Sequence, residues 1–216
     1  MKLKSSISKS AAHYLLAISG AVAMTAAHAQ PVISELLYDA AGTDNGNVFV
    51  ELFGAAGTLL DGLFLEGVNG ADGSVYSSIG LTGTIPADGV FVIGDDVGDG
   101  TTLVGNADLI MNVDDQNGPD SVVLRDANGV LDALGYGDFT GGVFAGEGSA
   151  APDVPGGVSL VRVSPWLDSN DNLADFISLD VPTPGTVPGS AVPVPPAVVL
   201  FLSGIAGLAG VSRRRA

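Results

Sequence analysis

The chain has 216 residues, of which 24 are acidic and 8 basic, a formal net charge of −16, and no cysteine. Every acidic residue lies between Glu35 and Asp180, where Arg125 and Arg162 are the only basic residues, so this central region carries −22. Such a charge repels nucleic-acid phosphates, and the absence of cysteine excludes disulfides and thiolate chemistry. At the N-terminus, Lys2, Lys4 and Lys9 precede an apolar stretch from Tyr14 to Ala26, followed by Ala27-His28-Ala29. Charged start, apolar middle and small residues flanking a cut predict a secretory signal peptide over residues 1–29, removed by signal peptidase to leave Gln30 first. Both histidines and all lysines lie inside that segment. The remainder therefore has no means to build a Ser-His-Asp triad, a Cys-His dyad, a Schiff-base lysine or a histidine zinc site.

From residue 30 to 181 the sequence reads as one domain of short β-type runs separated by Gly, Asn, Asp and Pro clusters. In chain order the expected strands are Val32–Tyr38, Val48–Phe53, Leu63–Val68, Val75–Ile79, Val90–Ile93, Leu109–Val113, Ser121–Arg125, Val130–Tyr136, Ser159–Val163 and Phe176–Leu179. In the second, Val48, Val50 and Leu52 fall on one face and Phe49, Glu51 and Phe53 on the other. Asp126-Ala-Asn-Gly129 between the seventh and eighth is a hairpin signal. Ten short strands without a long helical period predict an all-β sandwich.

Residues 182–196 are rich in Pro, Gly, Ser and Thr, as an extended linker would be. Residues 197–212 are 16 residues without a charge, closed by Arg213, Arg214 and Arg215. As a helix they would rise about 24 Å, short of the ~30 Å hydrocarbon core, so a transmembrane helix here would need local thinning of the bilayer. The arginines of the tail, residues 213–216, would stay cytoplasmic, leaving the preceding domain in the periplasm and tethered to the inner membrane.

This tail resembles the PEP-CTERM sorting signal of Gram-negative bacteria in its Val-Pro-x-Pro variant. Val192, Pro193, Val194 and Pro195 hold the motif, Leu200-Phe201 and Ser203-Gly204 follow, and Arg213 to Arg215 close it. Val194 stands where the eponymous motif has Glu. The resemblance implies cleavage by an exosortase, a membrane cysteine protease, and export together with exopolysaccharide, ending at the cell surface or in the extracellular matrix.

The central region resembles a lamin-tail domain, an immunoglobulin-like β-sandwich also found in bacterial surface and secreted proteins. The residues that carry the likeness are Val32-Ile-Ser-Glu-Leu-Leu-Tyr-Asp39, Asp44-Asn-Gly-Asn-Val-Phe-Val-Glu-Leu52, Leu60-Asp-Gly-Leu-Phe-Leu-Glu66 and Ile85-Pro-Ala-Asp-Gly-Val-Phe-Val-Ile93. Asp120 to Asp132, Ser159-Leu-Val-Arg162, Ala174-Asp-Phe176 and Pro182-Thr-Pro-Gly185 complete it. Phe49 and Phe64 replace tryptophans common in that family, an aromatic exchange that should preserve packing. The resemblance implies a binding or scaffolding module with no catalytic residues of its own.

Calcium is the one ion this composition suits, through carboxylate, amide and backbone oxygens. One candidate loop is Asp168-Ser-Asn-Asp-Asn172 with Asp175, placing Asp168, Asn170, Asn172 and Asp175 as ligands; others are Asp114–Asp120 and Asp95–Asp99. None completes an EF-hand, because the twelfth position is Leu179 counted from Asp168 and Arg125 counted from Asp114. Such loops are turn chemistry first. A second candidate set is Glu35, Asp39, Asp44 and Glu51, which would converge if the first two strands are neighbours. Burial would then require a cation, Arg125 or Arg162 as partner; otherwise the two glutamates face solvent. Arg125 and Arg162 themselves read as structural ion-pair partners, and Trp166 as packing. No cofactor other than calcium is expected. The function expected is a non-enzymatic secreted module that binds polysaccharide or a surface protein and does not bind nucleic acid. A calcium-dependent adhesion or matrix protein, and an accessory to an extracellular hydrolase, are the alternatives.

Overall fold

The computed structural model describes residues 30–186 apart from Asp114. Ala27, Ala29, the motif Val192–Pro195, the apolar run 197–212 and Arg213–Arg215 therefore lie outside the described residues; among the described residues, no helix is long and apolar enough to cross a membrane. Among the described residues ten strands form: β1 (Val32–Leu37), β2 (Phe49–Phe53), β3 (Phe64–Asn69), β4 (Val75–Gly80), β5 (Val90–Asp95), β6 (Leu109–Met111), β7 (Asp120–Arg125), β8 (Val130–Tyr136), β9 (Ser159–Arg162) and β10 (Phe176–Leu179). All ten expected strands are present within one or two residues. A single helical turn, α1 (Asn172–Asp175), had no counterpart in the sequence reading. It spans four residues, too few to show a 3.6-residue period.

The strands make two sheets, ordered β10-β9-β1-β2-β5-β6 and β4-β3-β7-β8. All pairings are antiparallel except β5 with β6. Their facing sides share one apolar core. Ile33, Leu36, Val50, Leu52, Phe91 and Ile93 come from the larger sheet, and Leu65, Ile79, Val122, Leu124 and Leu134 from the smaller. Tyr38 and Tyr136, at the ends of β1 and β8, stack within it with ring centroids 4.3 Å apart. Their hydroxyls satisfy themselves locally: Tyr38 donates to the Val154 carbonyl and Tyr136 to the Gln116 carbonyl, at 3.2 and 2.6 Å. Burial pushes the Tyr38 phenol up to about 12, so both rings remain neutral hydrophobes with one anchored end.

The outer side of the large sheet is also covered. Alternation along β2 sends Phe49, Glu51 and Phe53 there, where the two phenylalanines join Leu37, Val90 and Val92 in a second cluster. Trp166 packs edge-on against Phe53 at 4.2 Å yet stays 43% exposed, a packing contact at the margin of this layer. Phe49 fills its place in that cluster. Phe64, on the smaller sheet, is exposed, so its aromatic exchange carries little packing. Residues 182–186, expected to belong to a free linker, lie against the outer face as a strap over β1 and β2.

Candidate functional site

Two polar centres stand out, and the sequence reading touched both. The first is the pair Glu35 and Glu51. β1 and β2 are neighbours as supposed, and the two residues are direct cross-strand partners across a β-bulge between Ile33 and Glu35. They do not face solvent: their relative exposures are 0% and 1%. Neither arginine reaches them. The Ser159 hydroxyl donates to Glu35 at 2.6 Å, and the Thr183 amide and hydroxyl donate to its two oxygens at 3.0 and 2.9 Å. Glu51 accepts from the Ser34 hydroxyl at 2.7 Å and the Gly185 amide at 2.8 Å. Three of these five donations come from the strap, which composition alone marked as linker. Gly185 adopts φ +80°, a backbone state that favours glycine. Burial pushes the Glu51 carboxyl up to about 7, with the Glu35 charge adding to the rise.

Asp39 and Asp44 do not join this pair. Asp44 accepts from the Ala40 amide at 2.7 Å, and the Asp39 carboxylate lies against the Gly156 backbone. The expected convergence of four carboxylates thus reduces to two. Sequence proximity brought Asp39 and Asp44 into that expectation, but both belong to the loop beyond β1 rather than to the paired strands.

The second centre surrounds Arg162, whose side chain is fully buried. Its Nη2 meets both oxygens of Asp132 at 2.9 and 2.8 Å, its Nη1 reaches Asp175 at 3.3 Å and Asp168 at 3.4 Å, and its Nε donates to the Ile33 carbonyl at 2.9 Å. The guanidinium lies 4.6 Å from the Phe176 ring centroid. Asp132 belongs to the smaller sheet and Arg162 to the larger, so this ion pair ties the two layers together. Asp132 also accepts from the Ile33 and Ala133 amides.

Three of the four residues expected as a calcium loop are committed to this structure. Asp175 accepts from the Ser169 amide and hydroxyl at 2.9 and 2.7 Å. Asn172 accepts from the Gly135 and Glu147 amides and donates to the Ala133 carbonyl, each at 2.8 Å. Asp168 pairs with Arg162 and caps the Asn170 amide, while Asn170 takes a left-handed turn at φ +56°. The Asp95–Asp99 loop is likewise turn chemistry. Asp95 accepts from the Gly46 and Val113 amides, and Asp96 collects the amides of residues 98, 99 and 100, which hold its carboxyl below the usual range.

Sequence reasoning missed Asp132 as Arg162's partner, and it missed Glu147. One oxygen each from Asp132, Glu147 and Asp168 lies within 4.8 Å of the others. Burial and the Asp132 and Asp168 charges push the Glu147 carboxyl up to about 7, and its Oε2 has no hydrogen-bond partner among the described residues. As calcium ligands, Glu147 and Asp168 would fit, whereas both oxygens of Asp132 already face the guanidinium. The signal available in the sequence was an acidic residue inside the apolar run Val130–Tyr136. Its partner 30 residues away was not legible. Arg125 is a surface partner, 3.5 Å from Glu66. Comparison with family models, with curated proteins and with solved structures returned no match.

Proposed function

We propose that this chain is a non-enzymatic extracellular module, an immunoglobulin-like sandwich of the lamin-tail kind, that binds or scaffolds outside the cell. In this reading the N-terminal segment directs export and signal peptidase cuts before Gln30. The tail carrying Val192–Pro195 and Arg213–Arg215 then hands the protein from the inner membrane to an exosortase for delivery to the surface or matrix. The observation that supports it is the use of the buried charged groups. Glu35, Glu51, Asp132, Asp175 and Arg162 direct their polar atoms to the fold itself, in bonds that join strands, sheets and strap. A carboxylate serving as general acid or base needs a face open to substrate. The −22 charge of the central region fits a soluble extracellular surface that repels nucleic acid.

Deleting residues 192–216 tests the reading in the producing cell, with fractionation followed by immunoblotting. Loss of envelope sorting is expected; unchanged surface delivery would overturn it. A second reading is a calcium-dependent adhesion or matrix protein, in which Glu147 and Asp168 would hold the ion while Asp132 stays with Arg162. That reading requires a melting temperature that falls on chelation and recovers with calcium. A melting temperature indifferent to both removes it.

A further inference from the structure

The chain contains four Asn-Gly pairs, beginning at Asn45, Asn69, Asn117 and Asn128. In this dipeptide the glycine nitrogen can attack the asparagine side chain, because the glycine has no Cβ to block the approach. Tight turns favour the same dipeptide, so a fold rich in such turns carries the reaction wherever both groups are left free. We propose that Asn117 is a self-modifying site, converted to aspartate and isoaspartate through the Gly118 nitrogen, and that carboxylates shield the other three pairs.

The chemistry needs only solvent. Hydroxide takes the proton of the Gly118 amide, and the nitrogen lone pair forms a bond to Cγ of Asn117. The Cγ–Nδ2 bond breaks, and the departing nitrogen takes a proton from water and leaves as ammonia, which regenerates the hydroxide. A five-membered imide remains. Water then opens it on either side of the nitrogen. Cleavage at Cγ leaves aspartate, and cleavage at the backbone carbonyl carbon of residue 117 leaves isoaspartate. Nothing is oxidised or reduced.

Three observations single out this pair. The first is the state of the nucleophile. An amide must ionise before it attacks, and a carboxylate that accepts its hydrogen opposes that ionisation. The Gly46 amide donates to Asp95 at 2.7 Å, the Gly70 amide to Asp120 at 2.7 Å and the Gly129 amide to Asp126 at 2.9 Å. The Gly118 amide has no hydrogen-bond partner among the described residues. The second is access. Gly46 and Gly70 are buried and Gly129 is half-buried, whereas Asn117 and Gly118 are both exposed to the water that deprotonates the amide and opens the imide.

The third is the electrophile. Asn69 is held at both ends, its Oδ1 by the Ala71 amide at 2.7 Å and its Nδ2 by a long 3.5 Å contact to Gln116. Asn128 donates its Nδ2 to Asp126 at 3.0 Å, so one carboxylate holds both reacting groups of that pair. The Asn128 side chain and the amides around the turn keep the Asp126 carboxyl below its ordinary range, hence charged. The Asn117 side chain makes no hydrogen bond among the described residues. Its placement gives the reaction a consequence. The Gln116 carbonyl before it is fixed by the Tyr136 hydroxyl at 2.6 Å, and Asp120 begins β7 after it. Aspartate adds a negative charge between these anchors, and isoaspartate also lengthens the main chain there by one methylene. The chemistry is the same wherever the protein resides; in a long-lived matrix it would make this loop a record of age.

The purified full chain is incubated at pH 8.5 and sampled by peptide mapping and mass spectrometry, with isoaspartate told apart from aspartate by electron-transfer fragmentation. Asn117 is expected to convert about tenfold or more faster than Asn45, Asn69 or Asn128, to both products and at a rate proportional to hydroxide. In concentrated guanidinium chloride the four rates should converge to within about threefold, because the folded surroundings that separate them are gone. Asp126→Ala frees the Gly129 amide and should speed Asn128 about fivefold or more while leaving Asn117 unchanged. Asn117→Gln, whose attack would have to close a six-membered ring, should abolish the gain of acid in this loop. Asn117 staying intact, any other pair converting as fast in the folded chain, or the same ranking persisting in denaturant overturns the assignment. An unchanged Asn128 rate in Asp126→Ala overturns the shielding. The comparison of the four sites in the wild-type chain decides even if that variant fails to fold.

Discussion

Replacing Glu51 by Gln should convert a pH-dependent weakness of the fold into a pH-independent one. In the folded protein the Glu51 carboxyl is raised from 4.5 to about 7, chiefly because β1, β2 and the strap remove it from water. A carboxyl raised on folding favours the protonated native state. Its stabilising effect is therefore complete below pH ~4.5 and lost as pH rises through about 7. At about 1.4 kcal/mol per pH unit, the gap between the two values corresponds to about 3 kcal/mol between acid and mildly alkaline solution. In Glu51→Gln the side-chain oxygen still accepts from the Gly185 amide, and the new amide donates to the Ser34 oxygen. Urea unfolding of both proteins between pH 4.5 and 8.5, followed by the fluorescence of Trp166, reports this residue together with its coupling to the Glu35 charge, because groups remote from the pair cancel in the difference. The stability of the variant relative to the parent should move by about 3 kcal/mol in its favour across that range. A difference that stays flat to within ~0.5 kcal/mol would refute the assignment.

Arg162→Met should destabilise the protein by about 3–5 kcal/mol in the same assay, since it leaves Asp132 buried and unpaired between the sheets. Thr183→Ala removes one hydroxyl donor to Glu35 and should cost about 1 kcal/mol, with faster amide exchange confined to residues 182–186. Phe53→Ala, emptying a fully buried ring site, should cost about 3–5 kcal/mol, whereas Trp166→Ala at the margin should cost clearly less. In the native state caesium should quench the half-exposed Trp166 more efficiently than iodide, because the domain's negative field gathers cations. Equal quenching would contradict that field.

The strands were legible because their signals are local. Period-two alternation, as in Phe49–Phe53, and Gly, Asn and Asp at the turns depend only on neighbouring residues. Even the faces of β2 follow from that alternation. What escaped was the state of the glutamates on the outer face. An acidic residue alternating with phenylalanines reads equally as solvated or as covered. The strap that decides between them is 134 residues from Glu51, in a segment whose proline content resembles a linker. The Arg162 centre failed to emerge for the same reason. Asp168 and Asp175 are close to Arg162 in sequence and drew attention as a loop. Asp132 is brought in by the packing of the two sheets, and Glu147 by a loop whose backbone is bonded to Asn172. The spacing of Asp168, Asn170 and Asn172 suggested cation ligands, whereas their local geometry is that of turns and an arginine clasp.

The strap also determines how the domain would carry load. Without it, tension applied beyond residue 186 would reach β10 at the sheet margin and peel its hydrogen bonds from β9 one after another. With residues 183 and 185 fastened to Glu35 and Glu51, the pull enters first at β1 and β2, in the interior of the six-stranded sheet. Several bonds must then give way together before the margin is loaded. Two carboxylates beneath a short segment thus serve as a strain relief, and its grip would weaken as the surroundings turn alkaline.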